Sequence, residues 1–195
     1  MLKRIFDLVV SLFGLIFLLP FFIIISLCIK FETSGPIFFI QDRIGIHGKS
    51  FKIFKFRTMR IGSEKLSKLT VGDDKRITRL GKVLRNYKLD ELPQLINVFF
   101  GNMSLVGPRP EVQEFIDLYS SYEKRKILSI KPGITDEASI EMINENEILN
   151  SFDDPLEAYG EKILPLKIKH YIHYVENQSF TGDLKIIIKT IYKIF

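Results

Sequence analysis

The sequence predicts an α+β fold, mainly helical, in which an N-terminal membrane helix joins a helical cytoplasmic part carrying a small β-hairpin and amphipathic interfacial helices. Three observations lead there. Residues 8–29 contain no charged side chain and are mostly Leu, Ile, Val and Phe, a run long enough for a helix to cross a hydrocarbon core of roughly 30 Å. Residues 37–57 place two aromatic, β-prone stretches around Gly45, His47 and Gly48, the pattern of a hairpin. Beyond Thr78 the apolar positions recur at helical spacing. A chain of 195 residues then divides into a membrane segment, residues 1–30, and one membrane-associated cytosolic domain, residues 31–195.

The membrane segment holds Pro20, which removes one backbone hydrogen bond and favours a kink. Ser11, Gly14 and Ser26 are small or polar positions that ease a bend. Lys3 and Arg4 precede the run and Lys30 follows it, so the positive-inside tendency places both ends in the cytoplasm. This favours a helix that breaks at Pro20 and returns, with an ordinary spanning helix as the alternative. No small-residue cleavage site follows Ile25, which argues against a secretory leader.

Ser34-Gly35-Pro36 is a turn, Ile37 to Gln41 the first strand and Phe51 to Arg57 the second. Residues 60–77 read as an exposed helix or loop. Leu80, Val83, Leu84 and Tyr87 mark a helix; a second begins near Asp90 with Leu92, Leu95, Ile96 and Phe99 on one face. Pro93 is tolerated in its first turn, where amides lack intrahelical acceptors. Gly101-Asn102 ends that helix, and Val106-Gly107-Pro108-Arg109-Pro110 is a stiff extended segment. A helix over 111–128, a turn at Lys131-Pro132-Gly133, and further helices separated near Asp153-Asp154-Pro155 and Pro165 complete the chain. In the last stretch Lys185, Lys189 and Lys193 recur among isoleucines, which suits either a lipid interface or core packing.

Net charge is +5 and the pI about 9.2, a balance that suits anionic lipid or phosphate-bearing substrates and equally mere solubility. The basic residues are dispersed, without an aromatic-interleaved stripe, which argues against nucleic acid. Cys28 is the single cysteine, so no intrachain disulfide forms. His170 and His173 have no evident third ligand and are read as structural. No nucleotide-binding glycine loop, CxxC pair or Gly-x-Ser-x-Gly motif occurs.

Asp90-Glu91-Leu92-Pro93-Gln94-Leu95 is the most informative stretch. One reading is an Asp N-cap followed by a first-turn Glu. The other uses the same helix end to attract phosphate, with one carboxylate attacking phosphorus and its neighbour holding a divalent metal. Arg85 lies five residues upstream, and Pro108 and Pro110 brace Arg109 for phosphate recognition. Together these residues outline an anion site.

The chain resembles the bacterial sugar transferases, specifically the small monotopic phosphoglycosyl transferases. The resemblance runs through Lys3-Arg4-Ile5-Phe6-Asp7, the apolar run with Pro20, Gly35-Pro36-Ile37-Phe38-Phe39 and Gln41-Asp42-Arg43-Ile44-Gly45. It continues through Lys55-Phe56-Arg57-Thr58-Met59, Leu89 to Leu95 with Asn97, Val106 to Pro110 and Lys131-Pro132-Gly133-Ile134-Thr135. It implies a re-entrant helix bent at Pro20, a monotopic enzyme on the cytoplasmic face of the bacterial inner membrane, and contact with its lipids. It implies transfer of a phosphosugar from a UDP-sugar to polyprenyl (undecaprenyl) phosphate, releasing UMP and giving a polyprenyl diphosphosugar, the first membrane step of a bacterial glycoconjugate pathway. By the same resemblance Asp90 is the nucleophile and forms a covalent phosphosugar intermediate. Glu91 positions Mg²⁺ with Asp90, and Arg85 and Arg109, braced by Pro108 and Pro110, bind phosphate or nucleotide.

Two departures stand out. Many relatives carry Gly-Trp-Ala where this chain has Asp136-Glu137-Ala138, so sugar identity does not transfer. Many place Ser before the membrane proline where this chain has Leu19. The competing readings are a ternary-complex reaction with a carboxylate as general base and a non-catalytic, membrane-anchored interaction protein in which Asp90 is only a cap.

Overall fold

A computed structural model describes residues 1–62, 74–142 and 144–194. Most of the polar stretch expected over 60–77 therefore lies outside the described residues. Helix α1 (Leu2–Glu32) leads into an antiparallel hairpin of β1 (Phe38–Ile44) and β2 (Ser50–Phe56), with Phe38 opposite Phe56 and Ile44 opposite Ser50. The hairpin matches the sequence expectation, turn included. Helices α2 (Arg79–Asn86) and α3 (Gln94–Phe100) follow, joined by a tight 3₁₀ turn at Leu89–Glu91. Gly101, at φ 86°, ends α3 as its glycine suggested.

Strand β3 (Ser104–Val106) leaves α3 and pairs in parallel with β4 (Gly133–Thr135), a sheet the sequence did not announce. Its two glycines are a packing requirement. A Cβ on Gly107 would stand 2.6 Å from the Lys131 carbonyl oxygen, and one on Gly133 would collide with the Gly107 backbone. Between the strands the expected single helix over 111–128 is two, α4 (Gln113–Asp117) and α5 (Ser121–Ile127). The break is chemical: Ser120 and Glu123 form a reciprocal capping box that starts α5 afresh.

Short helices α6 (Glu137–Glu141), α7 (Glu145–Asn150) and α8 (Pro155–Ala158) lead through a π-turn at Tyr159–Ile163 into α9 (Leu164–Glu176) and then α10 (Phe180–Ile194). Asp154 caps α8 as the Asp-Asp-Pro pattern suggests, accepting from the amides of Leu156 and Glu157. No loop occurs at Pro165, however. The proline sits in the first turn of α9, just after the π-turn has shifted the hydrogen-bond register, where a missing N–H costs little. Helix α10 packs one face into the core, with Asp183 and Ile186 buried, whereas Ile188, Ile191 and Tyr192 are exposed beside the lysines.

Helix α1 also departs from expectation. It runs unbroken through Pro20, so the predicted helix-break-helix is replaced by one continuous 31-residue helix. Packing on both sides of the proline accounts for this: Leu15 and Leu18 before it, and Phe22 and Ile29 after it, all lie against the rest of the protein. Polar contacts fix the helix from end to end. Lys3 Nζ donates to Asp183 at 2.6 Å and to the Val106 carbonyl at 3.0 Å. Arg4 donates to the Val98 and Phe99 carbonyls at 2.7 and 2.9 Å. Asp7, buried, accepts from Ser104 Oγ at 2.8 Å and from the Leu105 amide at 3.1 Å. At the far end Glu32 accepts from the Arg79 amide at 2.7 Å. The opposite face is apolar and exposed, including Phe13, Phe17, Phe21 and Phe31.

These contacts make α1 a structural member of the fold. Asp7→Ala deletes a charged acceptor of two buried donors, so it should lower stability in detergent by about 2–5 kcal/mol. Phe13→Ala, on the exposed face, should change it by less than about 0.5 kcal/mol. Denaturant titration of both variants in one detergent checks this.

Candidate active site

Lys88 adopts a left-handed backbone, φ 55°, and so reverses the chain between α2 and the 3₁₀ turn. The turn carries Asp90 and Glu91, while Leu89 and Leu92 anchor it against Phe22 and Ile29 of α1. The helix expected from Asp90 begins at Gln94, with Pro93 at its cap position. Neither the turn nor α3 has a side-chain cap hydrogen bond, so Asp90 caps nothing. That removes the structural reason for an aspartate here.

Glu91 is clamped. Its Oε1 accepts from Lys55 Nζ at 2.7 Å, and Arg109 grips both oxygens, Nη2 to Oε1 at 2.5 Å and Nη1 to Oε2 at 3.2 Å. Asp90 is only 7% exposed, yet among the described residues no hydrogen bond to its carboxylate occurs. Arg85 stands in its field and donates Nε to Thr58 Oγ1 at 2.8 Å.

The sequence-chosen residues Arg85, Asp90, Glu91 and Arg109 thus converge in one electrostatic cluster. Pro108 and Pro110 hold the loop through their carbonyls, which accept from the Gly133 amide at 2.9 Å and from Arg43 Nη1 at 3.0 Å. Pro20 lies inside α1, away from this cluster. His170 pairs with Glu141 at 3.2 Å and His173 lies against Asn177, consistent with structural roles.

The whole chain, residues 1–195, matches the bacterial sugar transferase family. The chain belongs to that family. A relative named uncharacterized sugar transferase EpsL from Bacillus subtilis is 36% identical over 193 residues, covering 99% of this chain and 87% of EpsL. The UDP-N-acetylgalactosamine-undecaprenyl-phosphate N-acetylgalactosaminephosphotransferase of Aeromonas hydrophila is 35% identical, across 97% of this chain. The UDP-glucose:undecaprenyl-phosphate glucose-1-phosphate transferase of Klebsiella pneumoniae is 36% identical, across 99% of this chain. The chain spans only 43% and 40% of those two proteins. The enzyme class is that of a phosphoglycosyl transferase. Among the described residues α1 is the one helix long and apolar enough to cross a membrane, and it matches a monotopic anchor at the cytoplasmic face of the bacterial inner membrane.

In this transferase, burial and the charge of Glu91 raise the Asp90 carboxyl above its usual range, although Lys55, Arg85 and Lys88 pull it down. Burial alone would raise Glu91 too, but Arg109 and Lys55 hold it well below the usual carboxylate range. Burial lowers Lys55, whose charge Glu91 supports. Lys55, quoted in the sequence only as part of the Lys55–Met59 motif and given no role there, is the site member that the structure adds. Its signal was a lone lysine between Phe54 and Phe56 on a hairpin strand, where a cation is retained only if something pairs with it. Asn97 is likewise explained: its amide donates to the Lys52 carbonyl at 2.7 Å and accepts from the Phe54 amide at 3.0 Å, locking α3 to β2.

No group of three His, Cys, Asp or Glu side chains able to hold a metal occurs among the described residues. Two adjacent carboxylates, one of them unpartnered, nevertheless fit the way Mg²⁺ is usually held, by one or two carboxylates with substrate phosphates and water completing the shell.

A carboxyl raised by burial favours the folded protein only when protonated. Its penalty is present above the raised value and fades as pH falls through it toward the unfolded value. Metal-free Asp90→Asn should therefore melt higher than the parent at neutral pH, and the gap should narrow as the pH approaches 4. A pH series of thermal melts on both proteins checks the sign.

Proposed function

We propose that this transferase moves a phosphosugar from a UDP-sugar to polyprenyl (undecaprenyl) phosphate, the first membrane step of a bacterial glycoconjugate pathway, with Asp90 as nucleophile. The carrying observation is the asymmetry of the pair: Glu91 is held by two cations and Asp90, beside it, by none of the described residues. A carboxylate without hydrogen-bond partners keeps its lone pairs for attack. An Asp90 oxygen bonds to the β-phosphorus, the bond to the bridging oxygen breaks, and UMP leaves with that oxygen. An oxygen of polyprenyl phosphate then displaces Asp90, restoring the carboxylate and giving the polyprenyl diphosphosugar.

Arg85 lines the nucleophile's surroundings and Arg109 has donors beyond the two given to Glu91, so both serve the phosphates. Mg²⁺ held through Asp90, Glu91 and the diphosphate would neutralise charge on the leaving UMP. Clamping Glu91 keeps it from competing with Asp90 as nucleophile, and a general-base role for Asp90 is the second reading.

We also propose that α1 enters one leaflet only, with residues 1–30 as the inserted unit and 31–195 as the catalytic part. An α-helix of 31 residues is about 46 Å long. Lys3 and Arg4 at one end and Glu32 at the other bond to the same body. A helix crossing the bilayer would put those ends on opposite faces.

Detergent-solubilised protein with polyprenyl phosphate, Mg²⁺ and a panel of UDP-sugars should release UMP, and Asp90→Asn should cut the rate by on the order of 10³-fold or more. Without acceptor, a UDP-sugar labelled in the β-phosphate should leave label on the parent protein and none on Asp90→Asn. A parent that turns over but never carries label supports the general-base reading instead. In a Cys28→Ser background, Leu2→Cys and Lys30→Cys should both react with a thiol reagent from the cytoplasmic side. Labelling from opposite sides refutes the one-leaflet anchor.

A further inference from the structure

Beyond the Glu91 clamp lies a second polar site with no part in the chemistry described so far. A cavity of about 100 Å³ opens on the other side of Arg109. Its charged walls are Arg43, Glu111, Glu145 and Lys167, with Tyr159 and Phe115 beside them. Glu111 and Lys167 are almost fully buried, at 4% and 3% exposure. Lys167 Nζ lies 2.6 Å from Glu145 Oε2, and Tyr159 donates its hydroxyl to Glu111 Oε1 at 2.8 Å. Arg43 stands 3.7 Å from Glu111 Oε2.

Such charges are costly to bury, and apolar side chains of the same volume would often serve stability as well or better. A set retained around open space is what a ligand with many hydroxyl groups requires, because each wall group can exchange a hydrogen bond with it. The charges are paired, so the cavity gives a second phosphate little attraction. Its two aromatic rings, Phe115 and Tyr159, pack on each other with centroids 4.5 Å apart and tilted at 45°, which leaves no slot between them for a base. The volume corresponds to several water positions, where about 10–15 Å³ admits one.

We infer that this cavity receives the sugar ring of the donor and that Glu111, Glu145 and Lys167 read its hydroxyl groups. The inference rests on the UDP-sugar reaction proposed above. Arg109 connects the two sites, since it both grips Glu91 and lines the cavity. A donor whose β-phosphate lies by Asp90 then has its sugar on the cavity side and its nucleotide on the other. Paired carboxylates and cations in one wall offer both acceptors and donors, so the cavity suits the mixed hydroxyl pattern of a sugar ring.

The test compares kcat/KM across UDP-sugars, UDP-glucuronate included, for the parent, Glu145→Gln, and the double variant Lys167→Met with Glu145→Gln, each checked by thermal melting. The double variant removes both members of a pair, so no buried charge is stranded. Glu145→Gln removes the carboxylate facing Lys167 but leaves an amide oxygen able to accept from its Nζ, so it is the milder change and remains readable if loss of Lys167 unfolds the protein. Preference among the UDP-sugars should shift about tenfold or more in the variants. Inhibition by UMP should stay within about twofold of the parent. Folded variants with the parent's preference order overturn the inference. So does a parallel loss of UMP affinity, which assigns the cavity to the nucleoside. A parent that releases no UMP from any UDP-sugar instead defeats the underlying reaction.

Discussion

The Glu91 carboxylate, fixed between Lys55 and Arg109, is the interaction on which the site depends. It joins three separate pieces of chain: the hairpin strand β2, the 3₁₀ turn and the loop after β3. Such a cluster is stable only when its members are placed accurately, because a buried charge with a displaced partner costs several kcal/mol. The neighbouring structure supplies that accuracy. Asn97 locks α3 to β2, and the Gly107–Gly133 approach draws the Arg109 loop down onto β4. The consequence for chemistry is local. Two cations are committed to Glu91, so the adjacent Asp90 is left buried beside that carboxylate, with Lys55, Arg85 and Lys88 only partly offsetting the effect and with no hydrogen bond among the described residues. The asymmetry in hydrogen bonding within the pair follows from where Lys55 and Arg109 point.

The same frame explains why the anchor and the site are hard to separate. Lys3 donates to the carbonyl of Val106, the last residue of β3, and Asp7 fixes Ser104 and Leu105 just before it. Arg109 follows within a few residues. At the other end of α1, Phe22 and Ile29 pack with Phe56 and Leu84, next to Lys55 and Arg85. One face of the helix therefore braces both arginines, while the opposite face stays apolar and exposed.

Much of this was legible in the sequence wherever the cause was local. The hairpin followed from two β-prone stretches about a glycine-rich loop, and the α3 stop followed from Gly101. Asp90, Glu91 and the braced Arg109 stood out by residue type and spacing. Other features depended on partners far away in the chain. Lys55 meets Glu91 36 residues on, and nothing in its own neighbourhood names that partner. The β3–β4 pair consists of three-residue strands too short to show a period. Continuity at Pro20 is likewise tertiary: proline's cost of about 3 kcal/mol is local, whereas the packing of Leu18 and Phe22 that outweighs it is not. Asp90 as a helix cap failed for the converse reason, since the left-handed Lys88 and Pro93 move the helix start to Gln94.

The loop that carries Arg109 also carries Glu111, and this pairing bears on how the enzyme would separate phosphate from sugar. Residues two apart on an extended segment face the same way, and both side chains line the one cavity. Between them Pro110 offers its carbonyl to Arg43, so the segment is tied on its far side too. Such a loop has little freedom to move Glu111 without moving Arg109, and moving Arg109 disturbs the Glu91 clamp. Substitution on the loop therefore perturbs chemistry together with recognition. The opposite walls carry no such link: Glu145 on α7 and Lys167 on α9 pair with each other, and among the described residues neither makes a hydrogen bond or ion pair with Asp90 or Glu91. With the sugar in this cavity, donor preference is free to vary on α7 and α9 while the loop stays constant.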